Sequence, residues 1–501
     1  MTIQRLLIAN RGEIARRIIR ACRELGIETV AVYSDADAES PHVAEADHAV
    51  CLGPAPARES YLNIEAILDA ARSTKADAIH PGYGFLSERA RFAKAVEDAG
   101  LIFVGPPSSA LEKMGTKIGA KQIMISAGVP VVPGETPADQ SDGSLTGAVG
   151  RVGYPVLIKP SAGGGGIGMK IVRRSGEMAE ALAAARREAK AAFGNDTLYI
   201  ERLIERPRHV EIQVFADNHG HTVHLFEREC SAQRRHQKVI EESPCAALSA
   251  AVRARMGAAA IAAAQAVGYR NAGTCEFLLE GDGDSANFYF LEMNTRLQVE
   301  HPVTECVVGV DLVHAQLRVA AGEPLPFSQQ QLSQRGHAIE CRIYAEDPAQ
   351  GFIPQAGPLL LYREPQGPGI RVDSGVTKGS TISVHYDPML AKVIVYGATR
   401  EEARTRAITA LRDYAILGIR TNIPFLLQLL AHPQFVKASI DTGFIDRELN
   451  GLVAGIPTTL PDFMTEALKN PELSQNQTSG AFGTRGTSGT DPFEELRGWR
   501  G

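Results

Sequence analysis

The feature that most constrains this chain is a run of polar residues at every second position near residue 300. Side chains of a β-strand alternate between its two faces. If residues 288–300 (FYFLEMNTRLQVE) form a strand, one face carries an anion, an amide and a cation in close succession. The polar residues of that face are Glu292, Asn294, Arg296, Gln298 and Glu300. A solvated strand face is the alternative to a site of this composition.

The segment just upstream favours a site. Residues 273–280 (GTCEFLLE) also read as a strand, and residues 281–287 (GDGDSAN) have turn chemistry. A hairpin centred on Asp284 puts Glu276 directly opposite Glu292. Opposed carboxylates about 5 Å apart repel by roughly 3 kcal/mol at an effective dielectric near 20. Either one carboxylate is protonated or a cation lies between them.

The neighbouring amide favours a bound cation over a protonated carboxylate. Asn294 follows on the same face as Glu292, so the hairpin offers two carboxylates and one amide oxygen. Mg²⁺ and Mn²⁺ favour such oxygen ligands. We therefore predict a metal site formed by Glu276, Glu292 and Asn294.

Length and composition limit the class of protein. A chain of 501 residues suggests two to four domains, and a net charge of -6 argues against a nucleic-acid binder. Seven scattered cysteines without a Cys-x-x-Cys motif fit reduced thiols. The sequence has no run of 18 apolar residues, so we expect no membrane span. A cytoplasmic protein is the expectation.

The N-terminal region reads as alternating strands and helices. Apolar runs at 6–9 and 29–33 flank a helix pattern at 13–25, which predicts a doubly wound sheet over residues 1–115. No G-x-G-x-x-G opens the first helix, which disfavours NAD binding. The turn at 80–88 (HPGYGFLSE) places Gly82, Gly84 and Glu88 at the sheet edge where such folds bind ligands. A plain glycine turn is the alternative.

Glycines concentrate in a loop between two further strands. Residues 156–159 and 169–172 read as strands, and Gly163–Gly166 lie in the loop that joins them. Such a hairpin can bring backbone N–H groups against phosphate oxygens without Cβ clashes. Lys159 and Lys117 could supply cations for the same anion, although an exposed flexible hairpin would look similar.

Cations and amides dominate residues 227–238 (ERECSAQRRHQK). A nucleic-acid surface would interleave aromatic residues, which are absent here, and Glu241 and Glu242 follow at once. Capture of a small anion is the better interpretation. Farther along, Glu340, Arg342 and Tyr344 share one face of a predicted strand.

Together these motifs resemble the biotin carboxylase component of biotin-dependent carboxylases, a member of the ATP-grasp enzymes. The resemblance runs from about residue 3 to residue 447 and includes IANRGEIARRIIRA, HPGYGFLSE, GGGGIGMK, ERPRHVEIQV, ERECSAQRRHQK, EMNTRLQVEHPVTE and ECRIYAEDP, in that order. It implies an α/β and α+β multidomain fold. The implied parts are a Rossmann-like N-terminal domain (1–115), an ATP-grasp domain (116–335) with a mobile lid at about 132–203, a C-terminal α+β domain (336–447) and a partly disordered tail (448–501).

The resemblance also implies roles for the matched residues. The residues that would hold ATP are Lys117, Lys159, Gly163, Gly164, Gly165, Gly166, Glu201, His209, Gln233, His236 and Glu276. The metal ligands would again be Glu276, Glu292 and Asn294. The residues that would bind bicarbonate or biotin are Lys238, Arg296, Gln298, Val299 and Arg342. Glu300 would be the general base for bicarbonate, Arg342 would stabilise the biotin enolate, and Lys238 and Arg296 would assist catalysis on the path through carboxyphosphate.

Partners follow from the same resemblance. No Met-Lys-Met biotin-attachment motif occurs in the sequence, so we expect biotin on a separate carrier protein, with a carboxyltransferase subunit completing the reaction. Family dimers bury the helix that carries Arg17, Arg20 and Glu24, which implies a homodimer. Arg202 departs from the lysine that the family often has, and Tyr344 leans toward propionyl- or methylcrotonyl-CoA carboxylases. Another ATP-grasp ligase and a non-catalytic subunit are the alternatives.

Overall fold

The computed structural model describes residues 2–161 and 168–456. The predicted phosphate loop at Gly163–Gly166 and the predicted disorder of the tail beyond residue 456 lie outside the described residues. Within them, no helix is long and apolar enough to cross a membrane.

The N-terminal region is a parallel sheet with helices on both faces, as its sequence predicts. The strands are β1 (Arg5–Ile8), β2 (Glu28–Ser34), β3 (His48–Gly53), β4 (Ala78–His80) and β5 (Ile102–Phe103), in the order β3-β2-β1-β4-β5. The helices are α1 (Gly12–Glu24), α2 (Pro41–Glu45), α3 (Ile64–Thr74), α4 (Ala90–Asp98) and α5 (Ser108–Met114). Successive β1 residues point to opposite cores, Leu6 with α1 and Leu7 with α3 and α4.

A second, smaller sheet follows the helix α6 (Lys117–Ser126). Its elements are β6 (Gly134–Glu135), α7 (Asp142–Val152), β7 (Val156–Pro160), β8 (Lys170–Val172), α8 (Met178–Phe193) and β9 (Leu198–Arg202). The strands pair in the order β6-β9-β7-β8. A separate apolar core from α7, α8 and these strands fills the unit, which corresponds to the predicted lid.

The largest sheet has eight antiparallel strands and continues from the central region into the C-terminal one. The central elements are β10 (Arg208–Ala216), β11 (Thr222–Arg234), β12 (Gln237–Ser243), α9 (Ala250–Val267), β13 (Asn271–Glu280), β14 (Asn287–Asn294), α10 (His301–Val308) and α11 (Leu312–Ala320). The strand order is β14-β13-β10-β11-β12, followed by three strands of the C-terminal region. Strand β14 is therefore an edge strand.

The C-terminal region adds strands and a helical layer. Its strands are β15 (His337–Tyr344), β16 (Glu346–Asp347), β17 (Ile353–Pro354), β18 (Gly357–Pro358), β19 (Leu361–Arg363), β20 (Ile370–Ser374), β21 (Thr381–Ile382), β22 (Met389–Gly397) and β23 (Ala415–Leu417). Its helices are α12 (Arg400–Asp413), α13 (Ile423–Ala431), α14 (Pro433–Val436) and α15 (Phe444–Ala454). Strands β15, β22 and β20 complete the eight-stranded sheet in that order.

The charged residues of helix α1 differ in how deeply they are buried. Arg17 is 2% exposed and contacts Glu305 and Asp311 of the same chain, whereas Arg20 and Glu24 have exposed side chains. An apolar stripe on a helix carries the residues beside it into the interior. Arg17 is thus part of the protein's own interior, and of the three residues implied for the dimer contact, Arg20 and Glu24 are exposed.

Candidate active site

The acidic hairpin has the predicted register. Strands β13 and β14 are antiparallel, with Glu276 opposite Glu292 and Thr274 opposite Asn294. The Asn294 side chain donates to Glu276 Oε1 at 2.8 Å. The two carboxylates and the amide therefore lie side by side on one face of the sheet.

The two opposed carboxylates have different surroundings. Burial alone would raise the pKa of Glu276, but Lys238 and His209 hold that pKa well below its usual range. For Glu292, desolvation and then repulsion by Glu276 raise the pKa of the carboxyl group. No cationic group of the described residues lies within 4 Å of Glu292, and its side chain is open to solvent.

This arrangement fits a divalent cation. A solvent-accessible carboxylate that is repelled by its neighbour gains most from an added positive charge. The available donors are carboxylate and amide oxygens, which Mg²⁺ and Mn²⁺ prefer. Glu276, Glu292 and Asn294 thus form a donor set that suits such an ion.

Lys238 connects the hairpin to Glu300. At the start of β12, its ammonium group lies 2.6 Å from Glu211, 2.8 Å from Glu276 and 2.6 Å from Glu300. The second oxygen of Glu300 accepts from Arg342 of β15 at 3.0 Å. Each oxygen of the fully buried Glu300 carboxylate therefore faces one cation.

Two cations keep Glu300 ionised. Burial would raise its pKa, but Lys238 and Arg342, with Arg228 behind them, lower the pKa well below the usual value. Arg342 is itself oriented by Glu241, which accepts from Arg342 Nε at 2.6 Å. A carboxylate that is deprotonated, oriented and shielded from bulk water can act as a general base.

The prediction that the strand runs on to Glu300 is wrong. Strand β14 ends at Asn294, and α10 begins at His301. The next backbone N–H, that of Thr295, donates to Glu88 of the N-terminal domain at 3.0 Å instead of to a strand. Because β14 is an edge strand, its end has no second neighbour to keep it extended, and a side chain from another domain redirects it.

The residues of this redirected loop still converge on the site. Arg296 donates to the side chain of Gln298 at 3.0 Å, and its Nε lies 3.2 Å from Glu88. The side chain of Gln298 is buried, and its amide nitrogen has no partner among the described residues. Glu88 was singled out from its turn, but nothing local indicated that it would hold Arg296.

Three lysines and one glutamate cluster where α6 meets the small sheet. Lys159 of β7 and Lys121 of α6 each lie 2.9 Å from Glu201 of β9. Burial and then repulsion by Lys159 lower the pKa of Lys117 at the start of α6. Lys121 was missed from the sequence, although its position one helical turn after Lys117 was a usable signal.

The remaining residues that were predicted to bind ATP differ in their distance from the acidic hairpin. His209 Nε2 lies 3.2 Å from Glu276, inside the site. Gln233 is buried and pairs in register with Lys238. His236 is exposed at the tight turn between β11 and β12, with a positive φ of 67°. No contact of the described residues ties His236 to the acidic hairpin.

A cleft of about 440 Å³ is lined by Arg296, Val299 and Arg342, and also by Tyr83 of the N-terminal turn. Two of these residues, Val299 and Arg342, are direct neighbours of Glu300. Gly82 makes this turn possible, because its φ is +60° and a Cβ there would lie 2.9 Å from the side chain of Asn10. Tyr83 had no assigned role from the sequence, but its hydroxyl is buried and has no hydrogen-bond partner among the described residues.

The acidic hairpin, the small sheet and the lysines beside it define an ATP-binding site of the ATP-grasp class of ligases. Family models agree over three successive segments: the biotin carboxylase N-terminal domain matches residues 2–111, the ATP-binding domain of the carbamoyl-phosphate synthase L chain matches 116–328, and the biotin carboxylase C-terminal domain matches 340–447.

Curated relatives are similar over most of the chain. Biotin carboxylase of Halalkalibacterium halodurans is 50% identical over 446 residues, which is 89% of this chain and 98% of that protein. The mitochondrial methylcrotonoyl-CoA carboxylase subunit alpha of Rattus norvegicus is 49% identical over 500 residues, and the chain covers 70% of its length.

Solved structures agree as well. The biotin carboxylase of Campylobacter jejuni, in a complex with β,γ-ATP, matches with a TM-score of 0.85 at 43% identity, and the match covers 89% of this chain and 99% of that one. The chain belongs to the biotin carboxylase family. It is an ATP-dependent ligase that carboxylates biotin, and its three-part fold is confirmed.

Proposed function

We propose that Glu300 is the general base of the biotin carboxylation reaction and accepts the proton of bicarbonate. The observation that supports this role is the placement of its two oxygens between Lys238 and Arg342, at 2.6 and 3.0 Å, next to the cleft. A base must lie within hydrogen-bond reach of the proton that it removes. Lys238 holds the carboxylate and supplies positive charge beside the bicarbonate anion.

Bicarbonate would bind against the loop that follows β14. Arg296, Gln298 and the backbone of Val299 are near one another, and both Arg296 and Val299 line the cleft. A guanidinium and an amide nitrogen are suitable donors to a planar carboxylate-like anion. Deprotonated by Glu300, bicarbonate would attack the γ-phosphorus of ATP; the bond to the bridging oxygen would break, ADP would leave, and carboxyphosphate would form.

ATP would lie between the lid and the acidic hairpin. We assign its binding to the residues named from the sequence: Lys117, Lys159, Gly163, Gly164, Gly165, Gly166, Glu201, His209, Gln233, His236 and Glu276. Lys117 supports this role because its ammonium group interacts electrostatically with both Lys159 and Glu292. When bound at Glu276, Glu292 and Asn294, Mg²⁺ or Mn²⁺ would supply positive charge to the phosphate oxygens.

Biotin would enter through the cleft. Carboxyphosphate breaks down to CO₂ and phosphate, and phosphate removes the proton from the ureido nitrogen of biotin. Arg342 would stabilise the resulting enolate, since it lines the cleft while Glu241 and Glu300 fix its orientation. The residues assigned to bicarbonate or biotin are then Lys238, Arg296, Gln298, Val299 and Arg342.

For the assembly, we propose a homodimer that receives biotin on a carrier protein and passes the carboxyl group to a carboxyltransferase. A solved relative, the biotin carboxylase domain of Hydrogenobacter thermophilus 2-oxoglutarate carboxylase, is described as a dimer with MgADP and bicarbonate, at a TM-score of 0.84 and 43% identity, covering 90% of this chain and 99% of that one. The exposed Arg20 and Glu24 support a subunit contact through α1. The relation to methylcrotonoyl-CoA carboxylase subunits favours an acyl-CoA as final acceptor.

We also propose the domain limits drawn from the sequence: 1–115, 116–335 with a lid at about 132–203, 336–447, and a tail from 448. The separate apolar core of α7, α8 and β6–β9 supports the lid limits. A cytoplasmic location is proposed as well, supported by seven free cysteines.

ATP hydrolysis by the purified protein tests the proposed chemistry. We expect hydrolysis that requires bicarbonate and is stimulated by free biotin. An ATP-grasp ligase for a different acid would hydrolyse ATP without this dual requirement, and a non-catalytic subunit would not hydrolyse it at all. Either outcome contradicts the proposal.

A further inference from the structure

The loop at residues 295–299 carries bicarbonate-side residues but has no regular structure of its own. Its first residue is held from the N-terminal domain, since Glu88 accepts from the Thr295 N–H at 3.0 Å and faces Arg296 at 3.2 Å. Such a loop keeps its shape only where other side chains fix its backbone. The contacts at the other end of the loop, next to Glu300, therefore influence the position of the Glu300 carboxylate.

The opposite end is held from the C-terminal domain. The ammonium group of Lys392, on β22, donates to the carbonyl oxygen of Val299 at 2.7 Å. That carbonyl and the N–H of Glu300 belong to one planar peptide unit. Holding the Val299 oxygen therefore fixes the plane from which the Glu300 side chain departs.

Lys392 is unusual because it is completely buried. Its nearest carboxylate is Glu13 of α1, and the closest N–O distance is 3.5 Å. Neither oxygen of Glu13 has a hydrogen-bond partner among the described residues. Glu340 and Asp373 also interact with Lys392 electrostatically, but neither forms an ion pair with it within 4 Å. A buried lysine without a close ion pair costs more free energy than an apolar side chain of the same size, so packing does not account for it.

Lys392 also lies beside the catalytic strand without reaching the cleft. It pairs in register with Arg342 on the neighbouring strand β15. The described residues that line the cleft include Arg342, Val299 and Glu13, but Lys392 is not among them. Lys392 therefore acts on the reaction through its neighbours, and its hydrogen bond to Val299 leads directly to the loop.

We propose that Lys392 is a positioning residue for biotin carboxylation: with Glu13 as its counter-ion, it holds the Val299 carbonyl and thereby sets the position of Glu300 and of the bicarbonate-binding loop. This inference rests on the proposed role of Glu300 as the base. Together, Glu88 and Lys392 fasten the two ends of the loop to the two flanking domains.

The substitution Lys392→Met tests the proposal, because Met keeps the length of the side chain and removes the donor. In bicarbonate-dependent, biotin-stimulated ATP hydrolysis, kcat/KM for bicarbonate falls by about 10²-fold, as for other misplaced catalytic groups. The KM for ATP and the affinity for ADP, measured by calorimetry, stay unchanged. Lys378→Met, at an exposed lysine of the same domain, leaves all three quantities unchanged.

The double variant E13Q/K392M separates positioning from charge balance. It removes the lysine together with its nearest carboxylate and is expected to fold, so it serves as the test variant if K392M alone does not fold. If Lys392 positions Val299, the double variant keeps the bicarbonate defect. Recovery of kcat/KM for bicarbonate in the double variant overturns the proposal, because Lys392 would then only neutralise Glu13.

Different experimental outcomes contradict the proposed function and the proposed role of Lys392. A wild-type protein without bicarbonate-dependent hydrolysis refutes the proposed chemistry. A wild-type protein with that activity, together with a K392M variant of equal efficiency for bicarbonate, refutes only the role of Lys392. An equal rise in the KM values for ATP and bicarbonate also overturns it, since that result indicates general damage to the fold.

Discussion

Arg17 of α1 donates to Glu305 of α10 at 2.9 Å, and both side chains are buried although the two residues are far apart in the sequence. Arg17 also binds Asp311 at 2.7 Å. Burial would raise the pKa of Glu305, but Arg17 and its other cationic neighbours hold that pKa well below the usual range. This ion pair fastens the N-terminal domain to the helix that begins next to Glu300.

Replacing Arg17 by Met should destabilise the protein. Removal of one partner leaves buried carboxylates with fewer cations, and such a loss costs about 3 kcal/mol. Equilibrium unfolding in urea measures the change. The matched control is Arg72→Met, which breaks an exposed pair with Asp69 and should not alter the midpoint; equal shifts for the two variants would contradict the structural role of Arg17.

Replacing Glu300 by Gln should abolish the chemistry and spare nucleotide binding. Loss of the base lowers kcat for bicarbonate-dependent ATP hydrolysis by about 10² to 10⁴-fold, whereas ADP still binds beneath the lid. Steady-state kinetics and calorimetry measure the two quantities. Glu112→Gln, at an exposed helical position, serves as the control, and full activity of E300Q would rule out the assigned base.

Replacing Glu292 by Gln should weaken metal binding. The substitution removes one of the two opposed carboxylates, and we expect the Mn²⁺ affinity in the presence of ADP to fall by at least about tenfold. Electron paramagnetic resonance counts free Mn²⁺ without relying on activity. Asp284→Asn changes an exposed acid at the turn of the same hairpin and should leave affinity unchanged; unaltered binding by E292Q would exclude Glu292 as a ligand.

Glu13 should make stability depend on pH. Burial raises its pKa from an ordinary 4.5 to about 7, with Asp373 adding to the rise and Lys392 and Arg371 opposing it. The folded state therefore binds this proton more tightly than the unfolded state. The stabilising contribution is complete below pH 4.5 and is lost as the pH rises through 7.

The E13Q variant reveals this loss because it has no proton to release. Its free energy of unfolding should match that of the wild type near pH 4.5 and exceed it by roughly 3 kcal/mol above pH 7. Urea unfolding of both proteins across this range gives the difference. A difference that does not change with pH would show that Glu13 has an ordinary pKa.

Thiol labelling should distinguish one cysteine from the other six. Cys51 is exposed, five cysteines are buried, and Cys306 is intermediate with a pKa raised by burial to about 11. A thiol that is buried or has a high pKa reacts slowly. A disulfide reagent should therefore modify one thiol rapidly in the folded protein, none in Cys51→Ser, and seven in denaturant, whereas fewer than seven would reveal a disulfide.

The sequence determined the features that depend on neighbouring residues. Alternation and turn chemistry were enough to place Glu276 opposite Glu292, because a short hairpin leaves few possible registers. The parallel N-terminal sheet followed from its apolar runs alternating with helix patterns, because parallel strands need helical crossover connections between them. Both features were therefore readable from patterns along short stretches of the sequence.

Only the tertiary structure decided the shape of the loop before Glu300 and the inward position of Arg17. Glu88 and Lys392 shape that loop from other domains, and α10 and α11 cover the face of α1 that carries Arg17. Each of these contacts joins residues distant in the chain. Their geometry depends on how whole domains pack, which no local pattern of side chains encodes.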